Sequence, residues 1–252
     1  MVESKIKPEQ ISGTAVTNAN IVTDLYFNDA LMDDETRAHS TRVGWYAYLL
    51  AKQVGYSDFG SRQIMKGAML HDIGKYKVPD HIENKPAKLT AEEYEIVKKH
   101  CEDGLDVALQ HGLTNSSETD TVYANIILRH HEKFDGTGYP GGLVGHEIPR
   151  EANLVSIADI FDALLSKRCY KEPWSETRVI DYINERAGKS FYPELVDAFN
   201  KIRHALIAVK RHFDIHSTTI QHPADCPSQL AAIMVEQNIY TPFTLPHMGA
   251  AA

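Results

Sequence analysis

Residues 149–166 read PREANLVSIADIFDALLS. Apolar side chains (Leu154, Val155, Ile157, Ala158, Ile160, Phe161) fall on more than one side of this stretch, so a helix over 150–166 is expected to be central. Pro149 opens it, because its fixed φ suits the first turn and its missing N–H loses nothing there. Asp159 is out of keeping. A carboxylate among such neighbours is costly to bury without a partner, so it points to donors or cations brought in by other elements.

Working outward, the pattern is helical almost throughout and predicts an all-α fold. Residues 8–30 are weakly amphipathic, with Ile21, Leu25 and Leu31 as core contacts. His39, Val43, Ala47, Leu50 and Val54 recur at helical spacing and predict a helix over 34–54. Ser57 or Asp58 caps the next, which runs through Ile64, Ala68 and Leu70 to end near Gly74. Thr90 and Glu93 form a capping box for one helix through Tyr94, Val97, His100 and Leu105. Another covers 119–131. Residues 133–149, with five glycines and two prolines, break the pattern as a long structured loop of the kind that carries function. Helices over 175–187 and 193–210 follow, and the chain from His212 reads as polar and irregular. The expected division is a short N-terminal helical segment over 1–30, a main domain over 31–203 and a C-terminal extension over 204–252.

The 252 residues suffice for one large core. The net charge of −8 argues against a broad surface for duplex nucleic acid or an anionic membrane. No run of about 18 apolar residues is present, and Met1 to Gln10 lack an apolar signal core. Cys101, Cys169 and Cys226 show no CxxC spacing, which fits a reduced cytoplasm. A phosphate substrate would need local positive charge.

Thirteen histidines supply the means, and their placement matters more than their number. His71-Asp72 ends one predicted helix, His130-His131 ends another, and His100 sits on a third. Glu35 and His39, at i, i+4, share one helical face. A His-Asp pair alone is usually coincidence, as is a His-His pair. Two such pairs together with Asp159 are what a dinuclear metal site needs. Imidazole and carboxylate ligands without thiolate favour iron, manganese, nickel or zinc over calcium or magnesium. Cys101 adjoins His100, but a helical neighbour points away, so its expected role is packing.

The order and spacing of these residues resemble the HD-GYP family, a branch of the HD phosphohydrolases, over about Asp33 to Phe199. The matching segments are ETRAH (35–39), HDIGK (71–75), KPAKLT (85–90), His100, HHEKFDGTGYP (130–140), IPREA (148–152), ADIFDALLSKRCYK (158–171) and FYPELVDAF (191–199). The resemblance implies an HD-domain helical bundle with additional C-terminal helices and a Gly/Pro-rich GYP loop. It implies hydrolysis of cyclic di-GMP to pGpG or GMP by a metal-bridging hydroxide. A 3′,3′-cyclic GMP-AMP phosphodiesterase and a catalytically silent cyclic-dinucleotide receptor are the alternatives.

By the same resemblance, His71, Asp72, His100, His130, His131 and Asp159 are metal ligands, with Asp72 bridging. Glu35 and His39 complete a third site in members that have one. Two or three divalent ions, iron or manganese first and nickel or zinc next, are implied. Lys75 would lie near the reactive phosphate, and Arg168 and Lys171 match phosphate- or guanine-contacting positions. Asp33 and Asp162 are further candidates for base contact or support of the ligands. Tyr139, in Gly138-Tyr139-Pro140, either contacts substrate or a partner such as a cyclic-dinucleotide synthase, or supports His130 and His131; support is the favoured reading.

Three departures from the family pattern stand out: Cys169 for a usual proline, Ala87 for a common glycine, and Tyr192 for the aspartate before Pro193. The last removes a helix cap worth about 1 kcal/mol. The family attaches this domain to a sensor or receiver module, for which 30 N-terminal residues are too few.

Overall fold

A computed structural model describes residues 18–113, 117–167 and 172–216. Ten α-helices follow in order: α1 Asn18–Tyr26, α2 Asp34–Gln53, α3 Asp58–Met69, α4 Asp80–Glu83, α5 Ala91–Lys98, α6 His100–Gln110, α7 Glu118–Arg129, α8 Arg150–Leu165, α9 Glu176–Asn184 and α10 Pro193–His216. Two 3-10 turns, Ile73–Lys77 and Gly145–Glu147, interrupt the connections. Among the described residues there is no β-strand, only isolated bridges at Asp135–Val144 and Ala187–Phe191.

α8 is the axis of the fold. Every residue from Ala152 to Asp159 is buried, as are Phe161 and Asp162. α2 lies against both α3 and α8, α7 packs on α3, α6 and α8, and α10 closes the bundle against α2. One apolar core runs without a break from Ile21 to Val209 and includes Leu25 and Leu31. α1 is thus part of the main core, and α10 passes through position 203 uninterrupted with Ala205, Leu206 and Val209 buried beyond it. No helix among the described residues is long and apolar enough to cross a membrane.

Local chemistry sets most helix starts. Asp33 accepts from the Thr36 N–H at 2.7 Å, and Ser57 from the Gly60 N–H at 3.0 Å. Thr90 and Glu93 form the reciprocal box expected of them. Three boundaries differ from the expectation. α3 stops at Met69, short of Gly74, which lies in the following 3-10 turn without a positive φ. A Cβ on Gly74 would stand 2.0 Å from the His100 carbonyl oxygen, so this glycine serves close approach rather than helix termination. The helix expected to run through His100 divides at Lys99, whose N–H reaches back to the Ile96 carbonyl in a tighter turn. The C-terminal helix continues to His216, past the expected end at 210.

Tyr192 takes over a different task from the missing cap. Its hydroxyl donates to the Ile148 carbonyl at 2.7 Å and its N–H to Asn153 Oδ1 at 2.9 Å. It joins the start of α10 to the start of α8. Ala87 lines the wall of the main cavity, described next, and Cys169 lies outside the described residues.

Candidate metal centre

Three histidines sit where a helix or turn ends, and each solves the same local problem. The last carbonyls of a helix lack intrahelical donors. His71 Nδ1 donates to the Ala68 carbonyl at 2.7 Å, His100 Nδ1 to Val97 at 2.7 Å, and His130 Nδ1 to Ile126 at 3.0 Å. A carbonyl can only accept, so each Nδ1 bears a proton, and Nε2 is left turned inward. His39 turns its Nε2 inward by a different contact, with Nδ1 donating to Asp162 Oδ2 at 2.8 Å. The ends of α3, α5 and α7 thereby converge, and helix C-termini carry partial negative charge that favours a cation.

Asp72 lies between two groups of these nitrogens. Its Oδ2 is 3.2 Å from His71 Nε2 and 3.8 Å from His39 Nε2. Its Oδ1 is 3.5 Å from His100 Nε2 and 4.0 Å from His130 Nε2. Asp159, on α8, places Oδ1 3.1 Å from His39 Nε2 and 3.9 Å from His71 Nε2. Donor atoms of His39, His71 and Asp72 lie within 4.8 Å of one another, as do those of His100, Cys101, His130 and His131.

The electrostatics fit cations. Burial depresses His100 and His130, and takes His131 down to about 3, so these imidazoles are neutral and able to ligate. Burial would raise Asp72, but the charges of His71 and Lys75 hold it well below the usual carboxylate range. Burial would lower His39, yet Asp159 and Asp162 outweigh it and raise that imidazole to about 9. Two buried carboxylates thus demand positive charge at this point, as a proton or as a metal ion. His39 Nε2, His71 Nε2 and Asp72 Oδ1 are buried without a hydrogen-bond partner. Such groups cost roughly 1–3 kcal/mol each when left unsatisfied, a cost that a shared cation removes. The donor set fits divalent metal ions.

The remaining candidates surround this cluster. Lys75 Nζ donates to Asp72 Oδ2 at 2.6 Å and lines a cavity of about 640 Å³ that opens beside His39 and Asp72. Asp33 and Glu35 line its mouth, both exposed; Glu35 joins neither donor group despite standing one turn before His39. Of the two parts expected of Asp162, its contacts are those of support for His39. It is fully buried and accepts from Arg42 Nε at 2.8 Å and Arg42 Nη2 at 2.9 Å as well as from His39, so its oxygens are already engaged. Tyr139 lies off the cavity, its ring centroid 4.8 Å from that of His131. Arg168 and Lys171 lie outside the described residues.

Three residues had no assigned part in the sequence, and a fourth had a different one. Glu132 is wholly buried and accepts from the Gly141 N–H at 2.6 Å and the Leu143 N–H at 3.0 Å, which fastens the 133–149 loop under His130 and His131. Its place after His130-His131 was the available signal. Lys88 and Lys167 are exposed cations in the cavity wall, and the motif strings holding them were the signal. Cys101 corrects the expectation of packing alone: its Sγ turns into the donor group, 3.5 Å from His100 Nε2. The ring of His100 folds back towards Val97, so the roughly 100° between helical neighbours no longer separates the two side chains.

A family model described as HD domain matches residues 28–195. The chain is 42% identical over 187 residues to the cyclic di-GMP phosphodiesterase response regulator RpfG of Xanthomonas campestris pv. campestris, covering 73% of this chain and 48% of that one. It is 40% identical over 179 residues to a cyclic di-GMP phosphodiesterase of Thermotoga maritima, covering 71% and 48%. It is 37% identical over 176 residues to 3′3′-cGAMP-specific phosphodiesterase 2 of Vibrio cholerae, covering 70% and 33%. The chain therefore spans half or less of the length of these curated relatives. Among solved structures, the HDG"Y"P protein Bd1817 of Bdellovibrio bacteriovorus shares the fold at a TM-score of 0.54 and 24% identity, over 68% of this chain and 53% of that one.

Proposed function

The chain belongs to the HD domain family, and from that premise we propose that it is a metal-dependent phosphodiesterase of cyclic dinucleotides, cyclic di-GMP foremost, yielding pGpG or GMP. The observation that carries this reading is the inward aim of four Nε2 atoms around Asp72, beside a cavity wide enough for a nucleotide. His71, Asp72 and Asp159 would hold one ion, and His100, His130 and His131 with Asp72 a second. Glu35 and His39 would complete a third. Divalent ions, iron or manganese before nickel or zinc, supply Lewis acidity when bound, acidifying water and offsetting phosphoryl charge.

The chain's own residues do the rest. Lys75, at the cavity wall beside Asp72, would stand against a phosphoryl oxygen and offset charge developing there. Lys88, Lys167, Arg168 and Lys171 would receive the other phosphate, the local positive charge that an acidic chain requires. Asp33, at the mouth, would accept from a guanine edge. Glu132 and Tyr139 hold His130 and His131 in place. The 133–149 loop, with Val144 exposed, would present a face to a synthase or other signalling partner in the cytoplasm.

A second reading, hydrolysis of 3′,3′-cyclic GMP-AMP, is supported by the Vibrio cholerae relative. A silent receptor is disfavoured, because a protein without turnover has no need of the full donor set. The test is an oxygen-free assay of iron- or manganese-loaded protein against cyclic di-GMP, cyclic GMP-AMP and cyclic di-AMP, with product identification. Turnover of a guanine-containing substrate, abolished in His71→Ala/Asp72→Ala together with loss of bound metal, is the expected result. Tight binding with no turnover would move the assignment to a receptor.

A further inference from the structure

The donor group beside the GYP loop contains a thiol that the family resemblance does not supply. Cys101 is wholly buried, with Sγ 3.5 Å from His100 Nε2, while His100 Nε2 and His130 Nε2 are 3.3 Å apart. With metal–nitrogen bonds near 2.05 Å and metal–sulfur bonds near 2.3 Å, ligand angles near the tetrahedral value put two nitrogens about 3.3 Å apart and a nitrogen and sulfur about 3.5 Å apart. Independently, Asp72 Oδ1 faces the same group at 3.5 Å from His100 Nε2, buried and without a hydrogen-bond partner.

We propose that Cys101 is itself a ligand, so that the His100–His130–His131 end of the centre is a mixed imidazole–thiolate site. This rests on the metal-dependent reading above. On binding, the S–H bond breaks, a sulfur–metal bond forms and the proton leaves to solvent. A thiolate changes the choice of metal: soft sulfur favours iron, cobalt or zinc and disfavours manganese or magnesium, which prefer oxygen. The two ends of the centre then differ, the His39–His71–Asp159 end being free of sulfur.

The test uses the full chain, stripped of metal and titrated with Co(II) without oxygen, reading the thiolate-to-cobalt charge-transfer band in the near ultraviolet. The band is expected in the wild type and in Cys169→Ser/Cys226→Ser, where Cys101 is the sole thiol. It is expected to vanish in Cys101→Ser and Cys101→Ala, with one cobalt bound at least tenfold more weakly. Iodoacetamide adds a readout that needs no Cys101 variant: in Cys169→Ser/Cys226→Ser, bound Zn(II) should slow alkylation at least tenfold. Cobalt binding with no thiolate band, or a band that survives Cys101→Ala, overturns the assignment and leaves the centre standing. Failure of every form to take up cobalt defeats the centre and this ligand together.

Discussion

Arg42 and His39 both donate to Asp162, and the Tyr46 hydroxyl lies 3.3 Å from the same carboxylate, at a point with no access to water. Burial would raise Asp162, but His39 and Arg42 together hold it below the ordinary carboxylate range. Removing one member of a buried charge pair leaves the other uncompensated, which typically costs about 3–5 kcal/mol. Asp162→Ala is therefore expected to lose roughly 3 kcal/mol in urea unfolding and to weaken metal binding, since His39 loses the acceptor that sets its tautomer. A variant within about 0.5 kcal/mol of wild type would show that Asp162 supports neither Arg42 nor His39. Glu132 works similarly for the loop. The sequence placed both carboxylates close to the centre, but whether a carboxylate faces substrate or a guanidinium depends on which helix packs opposite it.

Between elements, the approach of the 3-10 turn Ile73–Lys77 to α6 brings Asp72 up against His100. That approach is possible because Gly74 and Gly104 meet backbone to backbone: a Cβ on Gly74 would lie 2.4 Å from the Gly104 nitrogen. Gly74→Ala should push the turn off α6, costing about 3 kcal/mol by overpacking and emptying the second donor group before the first. Thermal unfolding and metal content measure both effects; a variant with normal metal content would separate the turn from the site. α2 and α3 are joined through Asp58, which accepts from the Tyr48 hydroxyl and from Arg62 Nε, each at 2.7 Å. Burial works against its ionisation, but Arg62 and Tyr48 outweigh it and lower its pKa. The folded chain thus releases this proton more readily than the unfolded one. The contribution is complete above the unfolded value near 3.9 and is lost as pH falls through and below it. For so exposed a pair it is well under about 1 kcal/mol. Asp58→Asn should differ most from wild type near neutral pH, and the two unfolding curves should converge in acid. A gap that widens on acidification would contradict this assignment of sign.

For the molecule as a whole, the centre ties α2, α3, α6, α7 and α8 together at one point, so cations that bind only the folded chain should stabilise all of it. A metal at 100 times its dissociation constant adds about 2.7 kcal/mol. For a chain of this size that raises the melting temperature by roughly 5–10 °C, and a chelator should reverse the gain in calorimetry. An unchanged melting temperature at saturating metal would separate the centre from stability. From its letters alone the chain determined an all-helical fold, a central α8 and the capping box at Thr90, because periodicity, caps and turn chemistry act over a few residues; the paired His71-Asp72 and His130-His131 marked side chains that meet, but Glu35, one turn before His39, stays outside both donor groups. Only tertiary packing decided that α5 and α6 divide at Lys99, that Gly74 serves contact, that Asp162 faces Arg42, and that Cys101 turns inward. Each depends on what lies opposite, and no local pattern carries the identity of a neighbour tens of residues away.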